Sequence, residues 1–356
     1  MTTLRTPALS ARAAARLRTE RARLVASLEQ ELRAQRRLSD RRRRAAWPTP
    51  GRLESWQKKA AARLTAQLGW PLVGGAPARL KAHWEKLGRD ALGEIRLVRF
   101  GVTGRYAAFA LLFLPRSGKP ASLVLAQHGG LGLVEVISGL GRPSTNYRDL
   151  VARFRRRGCA VLVPQLPMWG ESDRPAYFQE KLDPRLRLLG GSCPALQVLA
   201  MRRALDAALA LPELRRAPVG LAGLSYGACF GLYAAALDRR IRAVLASGFF
   251  NDRHTYPAPP ALPAGPAGSL LDAELGALVC PRPLWLEVAD CDELFTPQGA
   301  RREAAGLRRL YRDVGLRARF RFTVFSGRHE FNPGPAGIEF LVRALQESTG
   351  SPAAIR

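Results

Sequence analysis

The pentapeptide Gly223-Leu224-Ser225-Tyr226-Gly227 has the residue types and the spacing for nucleophilic catalysis. The apolar run Val219–Ala222 before it predicts a strand, and the small-residue stretch Ala228–Leu237 after it predicts a helix. A serine at a sharp strand-to-helix turn, with a glycine two residues away on each side, exposes its hydroxyl and directs the next backbone N–H toward an oxyanion. Ser225 is therefore the predicted nucleophile, and Tyr226 the first oxyanion donor. An ordinary turn also fits these residues, so the prediction depends on a base and an acid elsewhere.

The general base must be a histidine, and the chain has four: His83, His128, His254 and His329. In hydrolases with this type of turn, the histidine follows both the serine and the acid along the chain. His83 and His128 precede the serine, and His254 precedes every acid that could end a later strand. His329 comes directly after the last predicted strand, so we predict that it is the base.

The acid is expected after the strand Leu284–Ala289, where Asp290, Asp292 and Glu293 follow in a short turn. Asp292 is favoured because an aspartate five residues before a proline, here Pro297, is the usual hydrolase pattern. Asp290 stays as the alternative and would otherwise stabilise the turn. The acid orients the imidazole and stabilises the imidazolium without taking the proton.

A second oxyanion donor is expected from the glycines that follow the strand Leu123–Gln127. Glycines let the backbone approach a substrate closely, and we predict that Gly130 is this donor, with Leu131 as the alternative. The spacing of Gly129, Gly130 and Gly132 does not match a dinucleotide-binding loop. The chain also has neither CxxC nor HxxxH spacing, so we expect no metal ion. We expect no organic cofactor either, because a serine, a histidine and an acid carry out acyl transfer without one.

These residues need a sheet that brings several loops to one edge. From residue 121 onward, short apolar strands alternate with helical patterns, which predicts a mostly parallel sheet flanked by helices. Two further runs, Ile95–Val102 and Tyr106–Leu114, predict an antiparallel pair that joins it, for eight strands in all. The six other predicted strands are Leu123–Gln127, Ala160–Pro164, Val219–Leu224, Ile241–Ser247, Leu284–Ala289 and Phe320–Phe325.

The expected organisation is a basic helical extension over residues 1–90, a catalytic domain over 91–346 and a tail over 347–356. Within the extension, the pattern predicts a long helix in residues 1–45 and shorter helices over Leu53–Leu68 and Pro77–Leu87.

The formal net charge of +27 raises the possibility of a polyanionic partner. The excess is spread along the chain, so weak polyanion binding is expected but no specific nucleic-acid site. No apolar stretch reaches the roughly 20 residues of a membrane span. Five scattered cysteines without close pairs, and no apolar leader, favour a reducing, cytoplasmic location. The oligomeric state stays open.

With these residues in place, residues 90–345 resemble the α/β-hydrolase superfamily, and within it the bacterial dienelactone hydrolases and acetyl xylan esterases. The matching motifs are His128–Gly130, Trp169–Ser172, Gly223–Gly227, Cys280–Leu284, Asp292–Pro297 and His329–Asn332. Two departures stand out. The elbow carries serine where dienelactone hydrolases use cysteine, and Arg328 stands where the group usually has a second glycine before the histidine.

Together these features predict a serine esterase. Ser225, His329 and Asp292 would hydrolyse a small or carbohydrate-linked ester through an acyl-enzyme. Two alternatives remain: a serine peptidase-like acyl hydrolase with the same triad, and a polyanion-binding protein that keeps the fold without the chemistry.

Overall fold

A computed structural model describes residues 10–75, 81–117, 120–130, 132–167, 179–256, 261–263 and 270–347. The chain divides into two compact units, Met1–Trp47 and Pro48–Arg356. The first unit contains one long helix, α1 (Ala11–Ala45), and no residue of this helix is buried. The Oγ of Ser10 accepts the N–H of Ala13 at 3.2 Å and begins this helix, because the first N–H groups of a helix have no intrahelical acceptor.

The second unit is built on a sheet that has nine strands among the described residues. Their order across the sheet is β1-β2-β3-β5-β4-β6-β7-β8-β9; the first three pairings are antiparallel and the others parallel. The strands are β1 (Ala82–Asp90), β2 (Gly93–Gly101), β3 (Ala107–Phe113), β4 (Ser122–Gln127), β5 (Cys159–Pro164), β6 (Val219–Leu224), β7 (Ile241–Ser247), β8 (Leu284–Ala289) and β9 (Phe320–Phe325).

Helices cover this sheet and bury it on both faces. On one face, Val124 of β4 forms a buried cluster with Phe154 of α4 and Leu341 of α10. Helix α7 also packs against β6 and β7. Burial on both faces explains the near-continuous apolar runs of the central strands. The helices of this unit are α2 (Leu53–Leu68), α3 (Val134–Ser138), α4 (Leu150–Arg155), α5 (Gln179–Leu188), α6 (Cys193–Leu209), α7 (Tyr226–Leu237), α8 (Asp272–Val279), α9 (Pro297–Asp313) and α10 (Ala336–Glu347).

The fold class predicted from the sequence is confirmed, but one predicted helix and the predicted number of strands were wrong. Residues 82–87 belong to strand β1, not to a helix over Pro77–Leu87, so the sheet has nine strands and not eight. Strand β1 is an edge strand with polar residues on both faces, and such a strand lacks the period-2 apolar pattern. Its pairing with β2 stabilises it, for example where the Nη1 of Arg99 donates to Glu85 Oε2 at 3.1 Å.

The division between the two compact units falls after Trp47, and α2 and β1 belong to the same unit as the sheet. The boundary of the catalytic domain at residue 90 stays a prediction. Residues 348–356 of the expected tail lie outside the described residues. Within the described part of the chain, no helix combines the length and the apolar character that a membrane crossing requires. None of the five cysteines forms a disulfide, and four of them are buried.

Candidate active site

Ser225 lies between the end of β6 and the start of α7, in a strained backbone conformation with φ +58° and ψ −129°. L-residues rarely adopt such angles, at a cost of about 1–3 kcal/mol. The two flanking glycines make the turn possible. A Cβ on Gly223 would lie 2.5 Å from the Gly227 carbonyl carbon, and one on Gly227 would lie 2.2 Å from the Gln127 oxygen. The sharp turn therefore requires glycine at both positions.

The end of β7 fixes the other side of this turn. The N–H of Ser225 donates to the Ser247 oxygen at 2.9 Å. A Cβ added at Gly248 would lie 3.1 Å from Leu224 Cδ1 and 3.4 Å from His329 Cε1. The Ser247–Gly248 segment therefore lies beside both the elbow and the imidazole of His329.

The glycine loop after β4 passes directly beside the serine. A Cβ added at Gly129 would lie 2.9 Å from Ser225 Cβ and 3.5 Å from its Oγ. The N–H of Gly129 is already occupied, because it donates to the Tyr147 hydroxyl at 2.8 Å. A Cβ added at Gly130 would lie 3.2 Å from Tyr226 Cδ2, so the loop reaches the first residue of α7. Gly130 and Tyr226 thus lie next to each other; Leu131 is outside the described residues.

His128 lies behind this loop and holds it in place. Its Nδ1–H donates to the Gly129 oxygen at 2.8 Å, and its Nε2 accepts the N–H of Leu166 at 3.0 Å. Gln165 also donates from its Nε2 to the Gly132 oxygen at 3.2 Å. Burial lowers the pKa of His128 to about 4, so this imidazole is neutral at ordinary pH. With both ring nitrogens engaged, His128 positions the loop and is not available as a base.

His329 lies in the loop between β9 and α10 and is hydrogen-bonded to Asp292. Its Nδ1–H donates to Asp292 Oδ2 at 2.8 Å. The other carboxylate oxygen, Oδ1, accepts the N–H groups of Leu294 at 2.8 Å and Phe295 at 3.0 Å. The Asp292 side chain is only 1% exposed. These contacts fix the carboxylate and, through it, the orientation of the imidazole, and they leave Nε2 for a reacting proton.

Asp290 has a different role in the same turn. Its Oδ1 accepts the N–H of Gly327 at 3.0 Å, and this bond lowers the pKa of its carboxyl group. Its own N–H donates to the Phe325 oxygen at 2.8 Å. Asp290 thus joins the ends of β8 and β9, whereas Asp292 contacts the imidazole. Arg328 lies at the surface, with its side chain 82% exposed and Nη1 3.4 Å from Glu293.

A family model described as the "Alpha/beta hydrolase family" matches residues 123–349. The chain belongs to this family. No curated protein matches the hydrolase in a sequence comparison.

Solved structures share the fold of the hydrolase at low sequence identity. A candidate acetyl xylan esterase from Bacteroides fragilis NCTC 9343 has a TM-score of 0.62 and 16% identity, over 78% of this chain and 76% of that one. A glucuronoyl esterase from Solibacter usitatus has a TM-score of 0.62 and 15% identity, over 82% of this chain and 93% of that one. A glucuronoyl esterase from Teredinibacter turnerae T7901 has a TM-score of 0.60 and 16% identity, over 85% of this chain and 86% of that one.

Aromatic rings of the hydrolase pack in a row beside the imidazole of His329. The rings of Tyr226 and Phe249 lie 5.7 Å apart, and those of Phe249 and Phe295 lie 4.9 Å apart. The Phe295 ring then lies 5.6 Å from His329. Phe249 and Phe295 are each 1% exposed, so these rings fill the space beside the imidazole with tightly packed apolar groups.

Glu287 is a buried acidic residue beneath the His329 loop, and its role was not predicted from the sequence. The Nε1–H of Trp285 donates to its Oε2 at 3.0 Å, and the N–H of Asn332 donates to its Oε1 at 3.2 Å. The Glu287 oxygen of the main chain accepts the N–H of Gly248 at 3.0 Å. Glu287 therefore connects β8 to the end of β7 and to the loop that carries His329. The signal was present, since it is the one charged residue in the strand Leu284–Ala289.

The burial of Glu287 predicts how stability depends on pH. Burial raises the pKa of Glu287 above its usual value of 4.5, so the unfolded chain ionises at lower pH than the folded chain does. As the pH rises from the pKa of Glu287 in the unfolded chain to its pKa in the folded chain, the unfolding free energy of the wild type therefore falls. Glu287→Gln has no group that titrates at this position, so it does not show this fall. We expect the unfolding free energy of Glu287→Gln to improve relative to wild type between pH 5 and pH 8, as measured by urea denaturation.

Glutamine keeps only one acceptor oxygen, so this variant is expected to be less stable than wild type at pH 5; the change with pH is the diagnostic quantity. Glu347→Gln, at an exposed position, is the control and should show no such change. An offset between wild type and Glu287→Gln that stays constant from pH 5 to pH 8 would contradict the prediction.

Proposed function

We propose that this chain is a serine esterase that cleaves small or carbohydrate-linked carboxylic esters through Ser225, His329 and Asp292. The observation that carries the proposal is the 2.8 Å hydrogen bond from His329 Nδ1–H to Asp292 Oδ2, in a loop beside the strained Ser225 turn. Strain of this kind is typical of functional sites, and a glycine loop beside the serine provides space for a substrate carbonyl.

In the first half of the reaction, the Nε2 of His329 takes the proton of the Ser225 hydroxyl as its oxygen attacks the ester carbonyl carbon. The carbonyl oxygen becomes an oxyanion and accepts hydrogen bonds from the N–H groups of Tyr226 and Gly130. When the tetrahedral intermediate collapses, the bond to the alcohol oxygen breaks. The alcohol leaves with the proton from Nε2, and the acyl group stays on Ser225.

In the second half, His329 removes a proton from water, and the resulting nucleophile attacks the acyl carbon. The bond to Ser225 breaks, and the serine oxygen recovers the proton from Nε2 as the carboxylic acid leaves. Asp292 stabilises the imidazolium in both halves without accepting its proton. The two N–H donors on Asp292 Oδ1 keep the carboxylate in the orientation that this requires.

Two observations support small or carbohydrate-linked esters as the substrate class. The rings of Phe249 and Phe295 fill space next to the imidazole, which favours a compact acyl group on that side. The similar solved structures also include proteins named as acetyl xylan and glucuronoyl esterases.

A panel of esters tests the substrate class. We expect p-nitrophenyl acetate and butyrate to be hydrolysed with a kcat/KM at least tenfold above that of p-nitrophenyl dodecanoate, because a compact site cannot bury a long acyl chain. Acetylated xylo-oligosaccharides and methyl glucuronate esters extend the panel to carbohydrate substrates. Peptide p-nitroanilides serve as the comparison. Faster cleavage of these amides than of any ester would instead favour a peptidase-like acyl hydrolase.

A further inference from the structure

Helix α1 exposes large apolar side chains along much of its length. Five of them have relative exposures of 44% to 65%: Leu17, Leu24, Val25, Leu28 and Leu32. Single exposed leucines are common on protein surfaces, but a row of them on one helix is not. A row of apolar side chains of this kind on one helix indicates a surface that meets a partner.

These five side chains share one face of the helix. At about 100° per residue, Leu17, Leu24 and Leu28 fall within about 40° of one another, and Val25 and Leu32 widen the stripe to about 100°. Arg21 lies within the same stripe. The apolar stem of an arginine can follow such a surface while its guanidinium group extends to a polar layer.

The remainder of α1 is strongly basic. Residues Ala11–Ala45 contain twelve arginines and four acidic residues, a net charge of +8. Most of these arginines lie outside the apolar stripe, by the same helical periodicity. A helix with a leucine face, an arginine-rich face and low overall hydrophobicity matches the segments that lie flat in a membrane interface.

We propose that α1 binds the surface of an anionic lipid bilayer. The leucine stripe lies among the headgroups and the upper acyl chains, and the arginines contact lipid phosphates and other anionic headgroup oxygens. The helix lies parallel to the bilayer and does not cross it. Vesicle binding is measured without ester hydrolysis, so its failure and that of the proposed esterase activity are separate results.

Two other partners fit the observations less well. A second copy of α1 would bring two charges of +8 together, and such helices repel unless acidic positions pair with the arginines. A nucleic acid would complement the charge but would leave the leucine stripe in water, because phosphate contacts need only the basic side chains. An anionic bilayer complements both faces at once.

Flotation of the full chain with lipid vesicles tests the proposal. We expect binding in 0.15 M salt to vesicles of equal parts phosphatidylcholine and phosphatidylglycerol, and at least tenfold weaker partition into phosphatidylcholine alone. The double variant Leu24→Gln and Leu28→Gln keeps every charge but removes apolar surface. Its partition into the anionic vesicles should fall at least tenfold. Its binding to a double-stranded DNA fragment at low salt should be unchanged.

Two control variants make the result decisive. Leu188→Gln with Leu189→Gln removes two exposed leucines outside α1 and should leave vesicle binding at the wild-type level. Leu24→Met with Leu28→Met keeps the stripe apolar at a similar helix propensity and should also bind like wild type. Wild-type vesicle binding by the glutamine variant would overturn the proposal, because charge alone would then explain it. Equal binding to both vesicle types, or a loss of binding in the methionine variant, would also overturn it.

Discussion

Ser225→Ala is expected to lower the turnover of p-nitrophenyl acetate by about four to six orders of magnitude, because no other hydroxyl in the elbow can form the acyl-enzyme. The oxyanion donors and the substrate site remain, so KM should change little. Steady-state kinetics with highly purified protein measures the effect. Turnover within tenfold of wild type would refute Ser225 as the nucleophile.

The strained backbone at Ser225 provides a control for folding. Alanine has a Cβ, as serine does, so Ser225→Ala keeps the strain of φ +58° and should unfold at nearly the wild-type temperature. Ser225→Gly relieves that strain and should be more stable than Ser225→Ala by about 1 kcal/mol, although it is equally inactive. Thermal unfolding of the two variants separates loss of the hydroxyl from loss of the fold.

Much of the fold could be predicted from the sequence because the central strands are buried on both faces. All six residues of β4 are buried, and its central run Leu123–Ala126 is apolar without interruption, a pattern that is enough to predict a parallel sheet. Strand β1 could not be predicted in the same way. Its residues are mostly exposed, and its hydrogen bonds come from β2, so its conformation depends on a neighbour and not on its own apolar period.

The candidate site shows the same division between local and nonlocal information. Ser225 has a local signature in its flanking glycines, and the order of residues along the chain is enough to predict His329 as the base. Asp290 and Asp292 could not be distinguished from the sequence, because the conformation of the turn after β8 decides which of them contacts the imidazole. The role of Glu287 depends on Asn332, which lies 45 positions away in sequence.

The end of β7 connects these groups physically. Ser247 accepts the N–H of Ser225 at 2.9 Å through its main-chain oxygen, and its Oγ donates to the Glu330 oxygen at 3.4 Å. Gly248 donates its N–H to the Glu287 oxygen at 3.0 Å. One turn therefore holds the elbow on one side and the His329 loop on the other. Backbone contacts of this type cannot be recognised from residue types, because every residue except proline has the same main-chain donor and acceptor.

The second large effect is expected from the aspartate pair. Asp292→Asn should lower kcat by about four orders of magnitude, because the new amide presents an N–H to His329 in place of a carboxylate oxygen. The imidazole would then turn to the tautomer that carries its proton on Nε2, and that nitrogen could not accept the serine proton. Esterase kinetics at pH 8 measures the loss.

Asp290→Asn is the matched comparison, two residues away in the same turn. Its amide oxygen can still accept the N–H of Gly327, now 3.0 Å from Asp290 Oδ1, so kcat should stay within about threefold of wild type. Both substitutions remove one negative charge, so a general electrostatic effect would lower the two rates alike. A greater loss in Asp290→Asn than in Asp292→Asn would mean that the 2.8 Å contact with His329 does not identify the catalytic acid. The contrast between the two variants therefore separates orientation of the imidazole from net charge and from stability of the turn.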